Sequence, residues 1–281
     1  MRDYALHIVI SLLLLTGCIK PQPQDNSFHQ QLIVEGRIEQ GSEAIVMLST
    51  NTQYSDEYDN DTFKDMVVRW GKVTLISESG EEEVLTGRVD KDYPTQYIYT
   101  STLIEGEVGC NYAIEIEYSN QTWYAQTTIL PPMTLSDIEV VDEGNDTYSI
   151  HATLPPSSEY CSIDCSINHS SYFAPTLLGT YAPSSTPRRI TINHPFDSLN
   201  RKNYSTCFKG EEIVELRINT LSDFSYNYWR KWEDNFINSL NPVFPSTSNL
   251  PTNISNNGIG IWAGYGTTYY SLGKLSEHST K

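Results

Sequence analysis

The sequence predicts a mainly β protein built from two β-sandwich-like, immunoglobulin-like units, with one amphipathic helix in the C-terminal half. Three observations support this fold class. Short runs of alternating apolar and polar residues recur along the chain with turn signals between them, which is typical of a sandwich. The composition is rich in tyrosine, with 19 residues, and poor in methionine, with 4, and tyrosine favours strands. After the N-terminal leader, one segment has a convincing helical period.

The first unit is predicted from residues 28–131. The predicted strands run over residues 31–38, 43–50, 67–77, 82–89, 96–103, 111–118 and 123–129. In the sixth of these runs apolar residues alternate with polar or small ones, so one face should be buried and the other solvated. The sequence Leu130-Pro131-Pro132-Met133 interrupts the series, because proline cannot donate to a sheet ladder and restricts the residue before it. We place a domain boundary there.

The second unit is predicted from residues 132–281, where the strand pattern returns. Alternation is clear in two runs, formed by Tyr148, Ile150, Ala152 and Leu154 and by Val214, Leu216 and Ile218. Between these runs, residues 174–195 contain four prolines. Proline is rare inside sheets, so this segment is predicted to be a long loop.

The helix is predicted over residues 222–240. Apolar side chains recur at every fourth position, at Phe224, Tyr228, Trp232, Phe236 and Leu240. Ser222 is placed to cap the first turn, and Asn241-Pro242 ends the last one. A stripe with this spacing is typical of a helix that packs on a sheet. Sugar stacking by Trp229 and Trp232 is the less favoured alternative.

The N-terminus has the features of an exported lipoprotein. An apolar run over residues 5–15 is shorter than the ~20 residues of a membrane-spanning helix, so residues 1–17 are predicted to be a signal peptide. The sequence Leu15-Thr16-Gly17-Cys18 is similar to a bacterial lipobox, which makes Cys18 the predicted lipidation site and mature N-terminus. Residues 18–27 form a predicted tether, and acyl chains on Cys18 would hold the protein on a membrane. The alternative is an ordinary secretory signal with an incidental cysteine.

Four further cysteines, Cys110, Cys161, Cys165 and Cys207, follow Cys18. Cys161 and Cys165 cannot pair with each other on an extended strand, because four residues span ~13 Å and a disulfide requires Cα atoms within about 7 Å. Pairing of either one with Cys207 is left open. A metal site formed by Cys161, Cys165 and His169 is disfavoured, since these steps separate the side chains too widely.

The charge balance limits the classes of partner. The chain carries 35 acidic and 18 basic residues, a net charge of −17. An acidic surface repels phosphate backbones, so no nucleic-acid partner is predicted, and attachment to a membrane must rest on the lipid. The sequence has neither a His-Glu-x-x-His nor a Gly-x-Ser-x-Gly motif. No catalytic residue, cofactor or metal site is predicted.

An acidic stretch with interleaved tyrosines is the candidate contact loop. Its predicted partner- or ligand-contacting residues are Tyr54, Asp56, Tyr58, Asp59 and Asp61. Tyrosine is enriched at protein interfaces, and a charged loop between strands is normally solvated. Calcium binding, with Asp65 as a further ligand, is the alternative, but the spaced Asp-x-Asp-x-Asp-Gly order is missing.

Several motifs, in order, resemble the Bacteroidetes lipoproteins catalogued as domain of unknown function 4249. They are the opening Leu32-Ile-Val-Glu-Gly-Arg-Ile-Glu-Gln-Gly41, the segment Gly106-Glu-Val-Gly-Cys-Asn-Tyr-Ala-Ile-Glu-Ile-Glu-Tyr118, the run Tyr124-Ala-Gln-Thr-Thr-Ile-Leu-Pro-Pro132, the helix entry Leu221-Ser-Asp-Phe-Ser-Tyr-Asn-Tyr-Trp229, and the closing Gly260-Ile-Trp-Ala-Gly-Tyr265. The resemblance covers nearly the whole mature chain. Cys110 and the three later cysteines depart from the pattern, so no disulfide is implied.

The resemblance implies a location and a role, but no reaction. Members of this family look like outer-membrane lipoproteins encoded beside TonB-dependent transporters. We therefore expect a non-enzymatic, lipid-anchored outer-membrane protein that acts as an accessory or solute-binding partner in nutrient uptake. A surface adhesin or structural lipoprotein is the second hypothesis, and a hydrolase acting on glycan or peptide is the third.

Overall fold

The structure, a computed structural model, describes residues 30–51, 65–195, 206–239 and 249–278. It is mainly β with a long helix in the C-terminal half, so the predicted fold class is confirmed. The elements are β1 (Leu32–Glu39), β2 (Glu43–Thr50), β3 (Lys72–Ser77), β4 (Glu82–Val84), β5 (Thr86–Val89), β6 (Tyr97–Glu105), β7 (Asn111–Tyr118), β8 (Gln121–Thr128), β9 (Ser136–Gly144), β10 (Thr147–Leu154), β11 (Tyr160–Ile167), β12 (Ala174–Tyr181), β13 (Arg188–Ile192), β14 (Ile213–Leu221), α1 (Asp223–Ser239), β15 (Ile259–Lys274) and α2 (Leu275–His278).

Three sheets are present in the described ranges. The largest has eight strands in the order β12-β11-β14-β15-β1-β2-β6-β5. A four-stranded sheet, β4-β3-β7-β8, packs on the β1-β2 half of this large sheet, and a three-stranded sheet, β13-β10-β9, packs on the β11-β14 half. The molecule therefore contains two sandwich units that share one sheet.

Strand β15 joins the two units. Its first half pairs in parallel with β1, from Ile33 opposite Ile259 to Glu39 opposite Tyr265. Its second half pairs antiparallel with β14. Gly260 has a φ of +112°, and a Cβ at this position would collide with the Val34 carbonyl. Glycine is therefore required where β15 enters the sheet.

The two units have separate cores, but the core of the first unit includes residues from near the C-terminus of the chain. Alternate side chains of β1 and β2 face those of β3 and β7, as the period of a strand requires. Trp262 of β15 is fully buried among them, and its Nε1–H donates to the Tyr112 carbonyl at 3.0 Å. The second core is formed by β9 to β14 with Leu275. The boundary placed at residues 131/132 lies between β8 and β9 and stays a prediction.

Helix α1 begins where the sequence predicts. Ser222 precedes it, and its Oγ accepts a hydrogen bond from the Ser225 amide at 3.2 Å, which satisfies one of the unpaired donors of the first turn. The helix packs against β11, β12, β14 and β15, with Tyr228 and Phe236 buried. The predicted packing of the aromatic stripe on a sheet is confirmed for these residues, whereas the side chain of Leu240 lies outside the described residues.

The prediction of a long loop over residues 174–195 is wrong. This segment contains β12 and β13. Both are edge strands of their sheets, and an edge strand tolerates proline because one side of its backbone has no ladder to complete. Pro175 lies near the start of β12, and Pro187 immediately precedes β13.

The single strand predicted over residues 82–89 is also wrong, because the chain changes sheets at Leu85. Strand β4 pairs with β3, and β5 pairs with β6 on the other side of the sandwich. Leu85 between them is 5% exposed and belongs to the first core. Because Leu85 is buried between the two short strands, the alternation of apolar and polar residues continues through it and resembles that of a single strand.

The cysteines of β11 are core residues. Cys161 and Cys165 are buried free thiols in the second core, so neither is bonded to Cys207. Burial raises the pKa of the Cys161 thiol to about 12 and also raises the pKa of Cys165. Both thiols are therefore protonated and unreactive at neutral pH.

Candidate functional site

A cleft lies on the face of the eight-stranded sheet that points away from the two cores, where the units meet. Alternation along the strands places Glu35 of β1, Arg217 of β14 and Tyr265 of β15 on this face, and all three line the cleft. The charged and aromatic residues of the lining are Glu35, Arg37, Asp164, Arg217, Tyr93, Tyr172, Phe173, Trp229 and Tyr265. Convergent polar groups within aromatic walls are typical of a binding site.

A charge network, formed by Arg37, Glu39, Asp164 and Arg217, lies at the base of the cleft. Arg217 is 2% exposed, and its guanidinium donates to Glu39 Oε1 at 2.6 Å and to Asp164 Oδ2 at 2.5 Å. Arg37 Nε lies 2.9 Å from the same Glu39 oxygen. Burial would lower the pKa of Arg217, but the two carboxylates raise it above its ordinary value, so this guanidinium stays charged.

Glu39 is fully engaged in this network. Burial alone would raise the pKa of its carboxyl, but the guanidiniums of Arg217 and Arg37 and a hydrogen bond from Tyr269 hold the pKa below its ordinary value. The Tyr269 hydroxyl donates to the second carboxylate oxygen. Both oxygens of Glu39 thus have partners, and the residue ties β1 to β14 and β15.

Asn219 completes the base of the cleft. Its Nδ2 donates to Asp164 Oδ2 at 2.8 Å and to Ser162 Oγ at 3.1 Å. Asn219 is 1% exposed, and among the described residues its Oδ1 has no hydrogen-bond partner, nor has the Nε of Arg217. A buried polar atom without a partner costs about 1–3 kcal/mol. The base therefore contains one unused acceptor and one unused donor, both buried.

Glu35 is a carboxylate of the cleft that forms no ion pair with the charge network. It is partly exposed, and no hydrogen bond or ion pair from the described part of the chain reaches it. Burial raises the pKa of Glu35. The charge of Asp164 adds to this effect, and the charges of Arg37 and Arg217 oppose it without cancelling it. A carboxyl whose pKa is raised within a cleft is a candidate functional group.

Two turns, one from each unit, meet across the cleft and form a clasp, defined as residues 90–93 and 171–173. The rings of Tyr93 and Tyr172 pack with their centroids 5.2 Å apart. The polar contacts of the clasp are Ser171 N to Asp92 Oδ2 at 2.7 Å, Ser171 Oγ to Asp90 Oδ2 at 3.0 Å and Tyr93 Oη to the Ser171 carbonyl at 3.3 Å. These contacts hold an aromatic wall over the base of the cleft.

Further aromatic rings complete the walls. The ring of Phe173 lies over the Arg217 guanidinium, with 5.1 Å from Cζ to the ring centroid. On the helix side, the Trp229 indole donates to the Tyr265 hydroxyl at 2.9 Å. Burial raises the pKa of Tyr265 above its ordinary value, so this hydroxyl is neutral. The indole is thereby fixed beside the cleft.

The cleft is narrow. Its inner volume is about 30 Å³, enough for about two water molecules. The base can hold a small head group, and any larger part of a ligand has to extend outwards between the aromatic walls.

The structure does not test the site residues that the sequence predicted. Cys18 and the contact loop with Tyr54, Asp56, Tyr58, Asp59 and Asp61 lie outside the described residues. Asp65, the further calcium ligand considered above, is described and exposed. Within the described ranges, no three His, Cys, Asp or Glu side chains form a group that could hold a metal ion, and no helix is long and apolar enough to cross a membrane.

Sequence reasoning missed Glu35, Arg37, Glu39, Arg217 and Asn219. The available signal was the polar set of two strands, Glu35-x-Arg37-x-Glu39 in β1 and Arg217-x-Asn219 in β14. Such alternation normally indicates a solvated face. Here the clasp and helix α1 cover that face.

The family model described as "Domain of unknown function (DUF4249)" matches residues 19–271. The chain belongs to this family. Membership confirms the resemblance of the sequence motifs to domain of unknown function 4249. No curated protein matches this DUF4249 protein.

Two of the solved structures that match the DUF4249 chain resemble it only distantly. A DUF4785 family protein from Legionella pneumophila is 12% identical with a TM-score of 0.22, over 70% of this chain and 54% of that one. A pullulanase from Anoxybacillus sp. LM18-11, complexed with maltotriose, is 9% identical with a TM-score of 0.23, over 68% of this chain and 24% of that one. The DUF4249 chain thus spans about half of the first protein and a quarter of the second. Likenesses at this level carry no argument about function.

Proposed function

We propose that the protein is a lipid-anchored, non-enzymatic binding protein of the outer membrane, an accessory or solute-binding subunit of a TonB-dependent transporter. The observation that carries the binding role is the cleft, whose base holds Asn219 Oδ1 and Arg217 Nε without partners among the described residues. Unpartnered buried polar atoms reduce stability, and a bound ligand or an ordered water that pairs with them would recover this loss.

The membrane location rests on the lipobox that ends at Cys18. A lipid anchor confines the protein and a transporter to one surface, which raises their effective concentration toward the millimolar range. Even a weak contact then becomes productive. The loop over residues 54–61, with its tyrosines and acids, is the proposed contact with the transporter.

A hydrolase is the competing function that one observation favours. Burial raises the pKa of Glu35, whereas the network lowers the pKa of Glu39, and carboxyls with divergent pKa values are typical of acid–base pairs. However, general acid–base chemistry needs two carboxyls that can each act on the substrate. Both oxygens of Glu39 are engaged. Binding is therefore the better account.

The anchor is tested by membrane fractionation of the Cys18→Ala variant. We expect this variant in the soluble fraction after a high-salt wash, because the acyl chains supply the attachment. Cys110→Ala is the matched control and should stay with the membranes. A Cys18→Ala protein that remains membrane-bound would contradict the anchor.

The partnership is tested by co-purification from membranes. The double variant Tyr54→Ser, Tyr58→Ser should recover less of the transporter, because the affinity of an interface depends on a few aromatic side chains. Exposed Tyr124, on the far sheet, is the control site for a Tyr124→Ser change. Equal recovery of the transporter with all variants would contradict the proposed role of the loop. Normal nutrient uptake by a strain that lacks the gene, on every nutrient that induces it, would contradict the proposed role in transport.

A further inference from the structure

The charges around the cleft do not balance. Glu35, Glu39 and Asp164 face the two guanidiniums of Arg37 and Arg217, and every ion pair within this set goes to Glu39 or Asp164. Glu35 has no ion pair with a described residue, although the charges of Arg37 and Arg217 act on it from a distance, so the set carries one excess negative charge. A carboxylate in such a place strongly favours a cation beside it, because its own hydration is reduced.

On this basis, and resting on the proposed binding function, we propose that the cleft binds the primary ammonium group of an organic solute. The ammonium nitrogen carries three donors. Two acceptors of the lining residues have no partner among the described residues, the partly exposed Glu35 carboxylate and the buried Asn219 Oδ1. Two independent features of the base, a charge and an acceptor, thus match the same head group.

The opposite choice, an anionic ligand held by the guanidiniums, fits the charges poorly. Arg217 already bonds two carboxylates, and Arg37 lies against Glu39. An anion at the base would lie beside Asp164 and Glu35 and would add to the excess of negative charge. The overall charge of −17 also attracts cations and repels anions.

The aromatic walls favour the same ligand. Trp229, Tyr172 and Tyr265 line the cleft, and the faces of aromatic rings attract cations, tryptophan most strongly. The hydrogen bond from the Trp229 indole to Tyr265 fixes the ring, so little side-chain entropy is lost when a ligand binds. An alkyl chain behind the ammonium would then run outwards along these rings.

The size of the base selects the kind of ammonium. An inner volume of about 30 Å³ holds about two groups the size of water. An ammonium nitrogen and one water molecule together would fill this volume. A quaternary head group such as tetramethylammonium is too large to reach the base.

The test is calorimetric titration of the purified protein at 150 mM NaCl with four probes: n-butylammonium, n-butanol, butyrate and tetramethylammonium. We expect saturable one-to-one binding of n-butylammonium and at least tenfold weaker binding of the other three. Glu35→Gln should weaken n-butylammonium binding at least tenfold. Glu115→Gln is the matched control, because Glu115 is a partly exposed mid-strand glutamate on the far sheet, and it should leave binding unchanged.

Three results would overturn the inference: equal binding of n-butanol, unchanged affinity in Glu35→Gln, or no binding of n-butylammonium by the folded wild type. The selectivity of the wild type among the probes decides the matter even if a variant folds poorly, and thermal melting identifies such a variant. The fractionation and co-purification tests do not depend on Glu35, so failure of the ammonium inference is distinguishable from failure of the proposed function.

Discussion

Trp262 gives the sharpest test of how the fold is assembled. It lies beyond the predicted boundary at residues 131/132, yet its indole is fully buried in the first core and bonds to Tyr112. If β15 completes the first sandwich, Trp262→Ala should destabilise that unit although the residue is far away in sequence. The change removes the largest fully buried side chain among the described residues.

The expected loss follows from the buried area. A tryptophan buries roughly 150–250 Å², which at about 25 cal/mol per Å² corresponds to roughly 4–6 kcal/mol. Measured losses for removing a buried aromatic side chain are about 3–5 kcal/mol, and the lost hydrogen bond adds about 1 kcal/mol. We therefore expect a loss of about 4–6 kcal/mol, equivalent to a fall in Tm of roughly 10–20 °C for a chain of this size.

The assay is urea unfolding followed by far-UV circular dichroism, because fluorescence would itself change with the loss of a tryptophan. Trp70→Ala is the matched control, since Trp70 is 91% exposed, and its effect should stay within about 0.5 kcal/mol. If Trp262→Ala and Trp70→Ala unfold at the same urea concentration, the indole does not contribute to the core and the shared-strand account is refuted.

The remaining predictions concern three charged groups. Arg217→Met should cost about 3–5 kcal/mol in urea unfolding, because it leaves Glu39 and Asp164 buried without their main counter-charge; a loss below 1 kcal/mol would contradict the network. Glu83 accepts hydrogen bonds from the amides at the end of β6. Burial alone would raise its pKa, but these bonds lower it, so its stabilisation is present above the ordinary carboxyl pKa and is lost as pH falls through the lowered value. Glu83→Gln should cost about 1.5–3 kcal/mol at pH 7 and progressively less in acid; a cost that does not depend on pH would refute this. The pKa of Glu35 is raised by burial, so its charge opposes folding at neutral pH, and Glu35→Gln should raise the Tm at pH 8, with the gain vanishing as pH falls to the ordinary carboxyl value; a lower Tm at pH 8 would contradict it.

Local pattern predicted most of the first unit and the helix. The bounds of β2 and β7 agree with the predicted strands, since each lies next to a short turn that fixes the register. Ser119 and Asn120 both have positive φ between β7 and β8, the conformation of a tight hairpin. The start of α1 followed from Ser222, because capping is a local interaction.

The parts that the sequence could not supply depend on contacts between distant residues. The pairing of Ile33 with Ile259 joins positions at opposite ends of the chain, and no local signal encodes it. The same register brings Glu39 to Tyr269 and Arg217. From the sequence of β1 alone, Glu35 and Arg37 have the pattern of a solvated strand face. The cleft could therefore not be predicted without the pairing of β1 with β15. Strands β12 and β13 were missed because their edge positions, which permit proline, are likewise a property of the assembled sheets.

The measurement that most directly tests the central claim is the NMR signal of the Trp229 indole N–H during titration with n-butylammonium. If the cleft binds an ammonium group, this signal should shift and saturate, while the indole of Trp123, which bonds to the Asn256 carbonyl in the first unit, should stay in place. The same concentration of n-butanol should leave both signals unmoved, and Glu35→Gln should require at least tenfold more n-butylammonium for the same shift. An unmoved Trp229 signal, or equal shifts at Trp229 and Trp123, would contradict the account.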